Sequence, residues 1–243
     1  LTKTKTHEKR SASQEPVTKA PKKAAAKPAS RHRYTAATAD KYELYQLAVQ
    51  SSDTDVDFLL ETYEKLNGRP ARHLREDFCG TALICSEWVS RHPENTAEGF
   101  DLDPEPLEWG KQHNFAKVRK AGAEDRIALH LEDARAPGRQ APDVRIAQNF
   151  SYWLFMKRPE MLEYFRIAHQ SLAPGGIFVI DMYGGTEATA SILEERKIEG
   201  GFTYVWDQDV YYPGTAEYFC NIHFKFRDGS EIQNAFQYHW RVW

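Results

Sequence analysis

Between His73 and Asp181 short apolar runs alternate with stretches of helical periodicity, and this alternation constrains the fold more than anything else in the chain. His73-Leu74-Arg75-Glu76 reads as a strand, followed by a tight Cys79-Gly80-Thr81 turn and a helix from Ala82 to Val89. Ala97 to Asp101 reads as a second strand, and Pro104 to Lys120 as one helix, with proline suited to its first turn. Ile127 to Leu131 and Asp143 to Asn149 give two more strands; Arg145 breaks the apolar run of the latter without an evident sequence-level reason. Pro159 to Leu172 is helical, with Met161, Phe165, Ala168 and Leu172 along one face, and Pro174-Gly175-Gly176 stops it. Ile177 to Asp181 is nearly all apolar, as expected for a strand buried on both faces. Strand and helix alternating over about 110 residues predict an α/β fold with a doubly wound, mostly parallel, Rossmann-like sheet.

The flanks differ in character. Residues 1–33 hold ten Lys or Arg against two acids and no apolar periodicity, which predicts a disordered basic arm. A domain over 34–243 follows. It opens with two helices within 34–70, Asp40 capping the first and Asn67-Gly68 stopping the second. The alternating strand–helix core is placed at 71–185. Over 200–243 Phe202, Tyr204 and Trp206, then Tyr218 to Phe226, then Ile232 to Trp240 alternate with polar residues around Tyr212-Pro213-Gly214 and Asp228-Gly229 turns. This predicts a three-stranded antiparallel meander with one aromatic face, packed on the main sheet or roofing a cleft.

Charge and cysteine usage narrow the function. The arm carries a net +8, so the rest of this chain of net −3 carries −11, and a general nucleic-acid-binding role for the body is disfavoured. Nucleic acid could be touched only through the 1–33 arm. Three scattered cysteines make neither a disulfide framework nor a zinc site, so no metal is implied and a reduced, cytoplasmic setting is expected. No apolar run approaches the ~18 residues of a membrane span.

In a doubly wound sheet, ligands bind outside the carboxyl ends of the strands. The first strand ends at Glu76-Asp77, and Phe78-Cys79-Gly80-Thr81-Ala82 then opens a helix whose N–H groups are free. The second ends in Asp101-Leu102-Asp103, Asp101 lying 21 positions after Gly80, where an acid can accept from ribose hydroxyls. Glu132-Asp133-Ala134 follows the third, where an acid can accept from an adenine amino group. Each acid alone has an ordinary reading as a cap or turn residue. Together, with no Lys or Arg phosphate clamp, they describe a site for a nucleoside without phosphate.

Leu74 to Ala82, Gly99 to Pro104, Leu131 to Ala134, Asn149-Phe150-Ser151-Tyr152 and Leu172 to Gly176 resemble, in order and spacing, the successive motifs of class I S-adenosylmethionine-dependent methyltransferases, in particular a bacterial-type group with a Glu-Asp-Phe-Cys-Gly-Thr first motif. The resemblance implies S-adenosylmethionine as cofactor, with Glu76, Phe78, Cys79 and Gly80 on the methionine side and Asp101 on the ribose. Leu102 would pack on the adenine, Asp133 and Ala134 would meet its edge, and Asn149 and Phe150 would flank the methyl. Asn149, Tyr152 and Tyr183 are the catalytic candidates. Asn149-Phe150-Ser151-Tyr152 is also similar to the Asn-Pro-Pro-Tyr motif of amino-group methyltransferases, without its prolines. The family usually carries three glycines in its first motif; Phe78 stands for the first here and Ala82 for the third.

The resemblance implies direct in-line methyl transfer to a small-molecule or protein acceptor, with Phe78, Phe150, Tyr152 and Tyr183 as aromatic partners of the sulfonium. A protonated acceptor would need a base; His239, Tyr183 and Tyr211 are the candidates. The rivals are a nicotinamide-dependent oxidoreductase, which needs a GxGxxG that this chain lacks, and a non-catalytic module with a nucleic-acid-binding arm. The family normally ends in a further helix and strand pair. With Leu1 first and Trp243 last, the chain is expected to be a trimmed piece, its meander inserted ahead of that terminal unit.

Overall fold

Five strands form one parallel sheet: β1 (His73–Asp77), β2 (Thr96–Asp101), β3 (Ile127–Leu131), β4 (Val144–Ala147) and β5 (Ile177–Ile180), in the spatial order β3-β2-β1-β4-β5. The order reverses between β1 and β4, so their carboxyl ends flank the crevice of a doubly wound sheet. The computed structural model describes residues 34–243. The expected basic arm, residues 1–33, lies outside the described residues.

Helices α1 (Lys41–Val49) and α2 (Ser52–Asn67) precede the sheet. Asp40 caps α1 by accepting the N–H groups of Tyr42 and Glu43 at 2.8 and 3.1 Å, and Gly68 ends α2 in the left-handed conformation at φ +66°. Helices α3 (Leu83–Arg91) and α6 (Arg158–Ser171) follow β1 and β4. One apolar core joins α2 and α3 to the sheet through Leu59, Tyr63, Leu74, Trp88 and Val144. Burying a side chain of this size contributes about 1.5–3 kcal/mol.

The single helix expected over Pro104 to Lys120 is two, α4 (Pro104–His113) and α5 (Ala116–Lys120). The break serves the core. Asn114 turns its Nδ2 onto the Thr81 carbonyl at 2.8 Å, and Phe115 goes into the interior. Gly110 permits the approach, since a Cβ there would stand 2.1 Å from the Thr81 oxygen. The last strand of the parallel sheet also differs from expectation. It pairs only with β4, so it is an edge strand, half-buried, with Ile180 exposed.

The C-terminal part forms its own antiparallel sheet of four strands rather than three: β6 (Ile192–Ile198), β7 (Phe202–Tyr212), β8 (Glu217–Phe226) and β9 (Glu231–Arg241). The strand missing from the sequence reading is β6. Its Glu194-Glu195-Arg196-Lys197 segment lacks apolar alternation because it is a charged sheet edge, which resists pairing with other chains. None of the four strands hydrogen-bonds into the parallel sheet. They contribute Tyr218, Ile222, Phe224 and Trp240 to a second core, shared with Leu44 of α1, Trp153 and Tyr164.

Candidate active site

A cavity of about 640 Å³ opens at the carboxyl ends of β1 to β4. That is within the range of small-molecule and cofactor sites. The strand ends form one wall; α1 and β9 supply another. Among the sequence-predicted residues, Glu76, Phe78, Cys79, Gly80, Asp101, Leu102, Asp133, Ala134 and Asn149 all line it.

The turn after β1 is unusual in its backbone. Phe78, Gly80 and Ala82 all have positive φ, at +56°, +51° and +52°. Phe78 and Ala82 therefore hold the left-handed conformation that glycine adopts freely and other residues adopt at a cost of order 1 kcal/mol or more. Packing holds them there: the Phe78 ring lies 5.9 Å from Phe155 and 5.8 Å from Tyr164, and Ala82 is fully buried. Gly80 meets open space on its Cβ side. Its N–H donates to Asp101 Oδ2 at 2.7 Å, tying the first turn to the end of β2.

Of the six acids on the lining among the described residues, three are shifted in different ways. Glu76 accepts the Cys85 N–H at 3.1 Å, but burial pushes its carboxyl up to about 7. Asp101 is also raised by burial, against the lowering effect of the Asp103 and Gly80 N–H groups. Asp133 is lowered, because Arg135 donates Nε and Nη2 to its two oxygens at 2.8 and 2.7 Å. Burial raises Cys79 and Cys85 well above the usual thiol range, so neither is a thiolate nucleophile.

Arg145, unexplained by the sequence, belongs to a fully buried network beneath the cavity. Asp77 accepts Arg75 Nε at 2.8 Å, Arg145 Nε at 2.6 Å and the Tyr164 hydroxyl at 2.7 Å. Both arginines also donate to the Ala134 carbonyl at 2.7 Å. Two buried charges thus converge on the turn that carries Asp133 and Ala134 and hold it in place. Removing one partner of such a buried pair typically costs about 3–5 kcal/mol.

The turn after β4 is built the same way, by strain and a carboxylate. Asn149 and Phe150 have φ of +55° and +42°, and Asp181 accepts both of their N–H groups at 2.8 and 2.7 Å. Sequence reasoning placed Asp181 only as a strand end. The signal for its role was an acid closing one strand opposite an Asn-aromatic turn closing its neighbour.

Phe150, Tyr152 and Tyr183 do not line the cavity, which corrects their expected placement. The left-handed turn sends the Phe150 ring into an aromatic nest with Trp153, Tyr183, Trp206 and Trp240. Tyr152 is buried and donates its hydroxyl to the Asp181 carbonyl at 3.0 Å. Tyr183 packs in the same nest, and burial raises both phenols. The other proposed bases also stand elsewhere. Tyr211 is in the second core, and His239 stacks on Phe219 and bonds Glu217 at 2.8 Å.

The sequence reading left open that the aromatic meander roofs a cleft and did not place α1 there. Tyr42, Tyr45 and Gln46 from α1 and Phe236, Tyr238 and Trp240 from β9 line the cavity. Two buried polar atoms on lining residues, Gln50 Oε1 and Trp240 Nε1, have no hydrogen-bond partner. Among the described residues, no group of three or more His, Cys, Asp or Glu is placed to hold a metal, and no helix is long and apolar enough to cross a membrane.

No family model and no curated protein sequence matches the chain. Solved structures do. A S-adenosylmethionine-dependent methyltransferase from Clostridium acetobutylicum ATCC 824 superposes with a TM-score of 0.64 at 17% identity, over 83% of this chain and 80% of that one. The chain has the methyltransferase fold. CalS10, an amino pentose methyltransferase from Micromonospora echinaspora, matches with a TM-score of 0.65 at 15% identity, over 84% and 83% of the two chains. DesVI from Streptomyces venezuelae gives 0.60 at 17%, over 82% and 80%.

Proposed function

We propose that the protein is an S-adenosylmethionine-dependent methyltransferase of small-molecule acceptors. The observation that carries the reading is the donor and acceptor set of the strand-end wall. Acids from β1, β2 and the turn after β3 share one cavity with the open Gly80 turn. Among the described residues the sole Lys or Arg on its lining, Lys41, is paired with Glu105 at 2.9 Å. Such a wall suits the hydroxyls and amino edge of an adenosine and offers nothing to two phosphates. The orphaned Gln50 oxygen adds an acceptor that a bound ligand can satisfy.

When bound, S-adenosylmethionine supplies a methyl group already activated on a sulfonium. Asp101 is the ribose ligand, Leu102 the apolar face for adenine, and Asp133 with Ala134 its edge. Glu76, Cys79 and Gly80 hold the methionine end, and Asn149 stands at the methyl. The task of the protein is alignment in a pocket with restricted water, a contribution of about 7–11 kcal/mol in favourable cases. The neighbours of the same fold include methyltransferases of an amino pentose, which favours a small molecule over a protein as acceptor.

Isothermal calorimetry with S-adenosylmethionine and S-adenosylhomocysteine tests this. Both should bind, and Asp101→Ala should weaken both at least tenfold, about 1.4 kcal/mol. Unchanged affinity in that variant removes the ribose assignment; no binding by the native chain removes the function.

A further inference from the structure

We propose that the α1–β9 wall is the acceptor subsite and that the acceptor is a small organic amine, recognised as its ammonium; this rests on the methyltransferase reading of the same cavity. The wall is aromatic: Tyr42, Tyr45, Phe236, Tyr238 and Trp240 all line it. Tyr45 lies 5.0 Å and Tyr42 5.7 Å from Phe236, and Tyr238 stacks on Trp240 at 4.3 Å. Ring faces attract a cation within about 6 Å of the centroid. This wall does so already, since the Lys41 ammonium stands 4.8 Å from the Tyr42 centroid and 5.6 Å from that of Phe236.

Charge points the same way. Of the acids on the lining, Asp77 is neutralised by Arg75 and Arg145, and Asp133 by Arg135. Among the described residues no ion pair neutralises Asp101, Asp103 or Glu132, so the cavity is net acidic. It repels carboxylates and phosphates and concentrates cations. Two lining residues carry unpartnered polar atoms, Gln50 Oε1 as an acceptor and Trp240 Nε1 as a donor.

An alcohol acceptor fits less well. It would need a base near its oxygen, and the hydroxyl-bearing groups of this wall are phenols that burial holds protonated, Tyr45 pushed up to about 12 and Tyr238 well above the usual phenol range. The bound ammonium first gives one proton to solvent water, an easier loss than that of an alcohol proton, and the lone pair so freed forms the new N–C bond as the S–C bond breaks and the sulfur keeps the bonding electrons.

The test is binding by the full chain, first saturated with the uncharged-sulfur product S-adenosylhomocysteine. Calorimetric titration compares choline with 3,3-dimethylbutan-1-ol, which has the same shape without the charge. Choline should bind at least about fivefold more tightly. Phe236→Leu and Tyr45→Leu, each titrated at saturating S-adenosylhomocysteine, should bring that ratio toward one. Equal or tighter binding of the neutral compound, or binding of neither, overturns the subsite; both comparisons on the native chain stand even if a variant fails to fold. Failure of S-adenosylhomocysteine itself to bind is the separate failure of the methyltransferase reading, and the choline comparison then decides the subsite on the chain alone.

Discussion

Glu76 is a carboxyl set in the interior at a strand end, and its titration has a direct thermodynamic consequence. Burial raises it to about 7 in the folded chain, against 4.5 for the free side chain. Below pH 4.5 it is protonated whether folded or not and contributes nothing. Between 4.5 and about 7 the unfolded chain ionises first, so the folded state holds the extra proton and stability falls as pH rises. Above about 7 the penalty is complete and constant. Glu76→Gln removes the ionisation, so its melting temperature relative to the native chain should climb from pH 5 to pH 7.5 and then level off. Asp101 and Asp181 shift in the same direction and Asp133 in the opposite one, but all three remain in the variant, so the difference isolates Glu76. A difference independent of pH would mean that Glu76 ionises like an exposed acid.

At the scale of the element, the turns do the positioning. Asn149 and Phe150 hold a left-handed pair only because Asp181, on the neighbouring strand end, takes both N–H groups. Asp181→Ala leaves those groups unpaired and should cost about 1–3 kcal/mol in denaturant unfolding, with a several-fold loss of S-adenosylmethionine affinity through Asn149. Asp181→Asn retains an acceptor and should recover part of both; unchanged affinity in Asp181→Ala would detach Asn149 from the cofactor. This turn also marks where sequence reasoning ended. The strands of the parallel sheet and the acids at their tips were legible, because alternation and strand-end chemistry are local properties. The Phe150 ring was assigned to the cavity from the motif resemblance that also placed Asn149 there. A positive φ sends it the other way, and nothing local announces that. Likewise β6 escaped notice because an exposed charged edge has no apolar period, and Arg145 made sense only once Asp77 and Ala134 stood beside it.

At the scale of the whole molecule, the cavity exists because two sheets are held at a fixed distance, and α1 is the clasp. Gln46 donates to Thr81 Oγ1 at 2.8 Å and to Asn114 Oδ1 at 3.2 Å on the parallel-sheet side. Asp40 accepts the Trp109 indole N–H at 2.8 Å. On the other side Tyr42 and Tyr45 meet Phe236, and the Ala48 carbonyl accepts from Arg196 of β6. Leu44, fully buried, belongs to the core that joins α6 and the second sheet. A shared core of this kind makes the two sheets melt together. The indole fluorescence, to which Trp88 of the first core and Trp153 and Trp240 of the second all contribute, and the far-ultraviolet circular dichroism should therefore follow one coincident transition. Leu44→Ala should destabilise that single transition by about 2–5 kcal/mol, the range for a buried leucine truncated to a cavity. It should also weaken S-adenosylmethionine, whose site lies between the parts that α1 holds. Two separated transitions would mean that the aromatic sheet is an independent lid and that α1 does not set the width of the cavity.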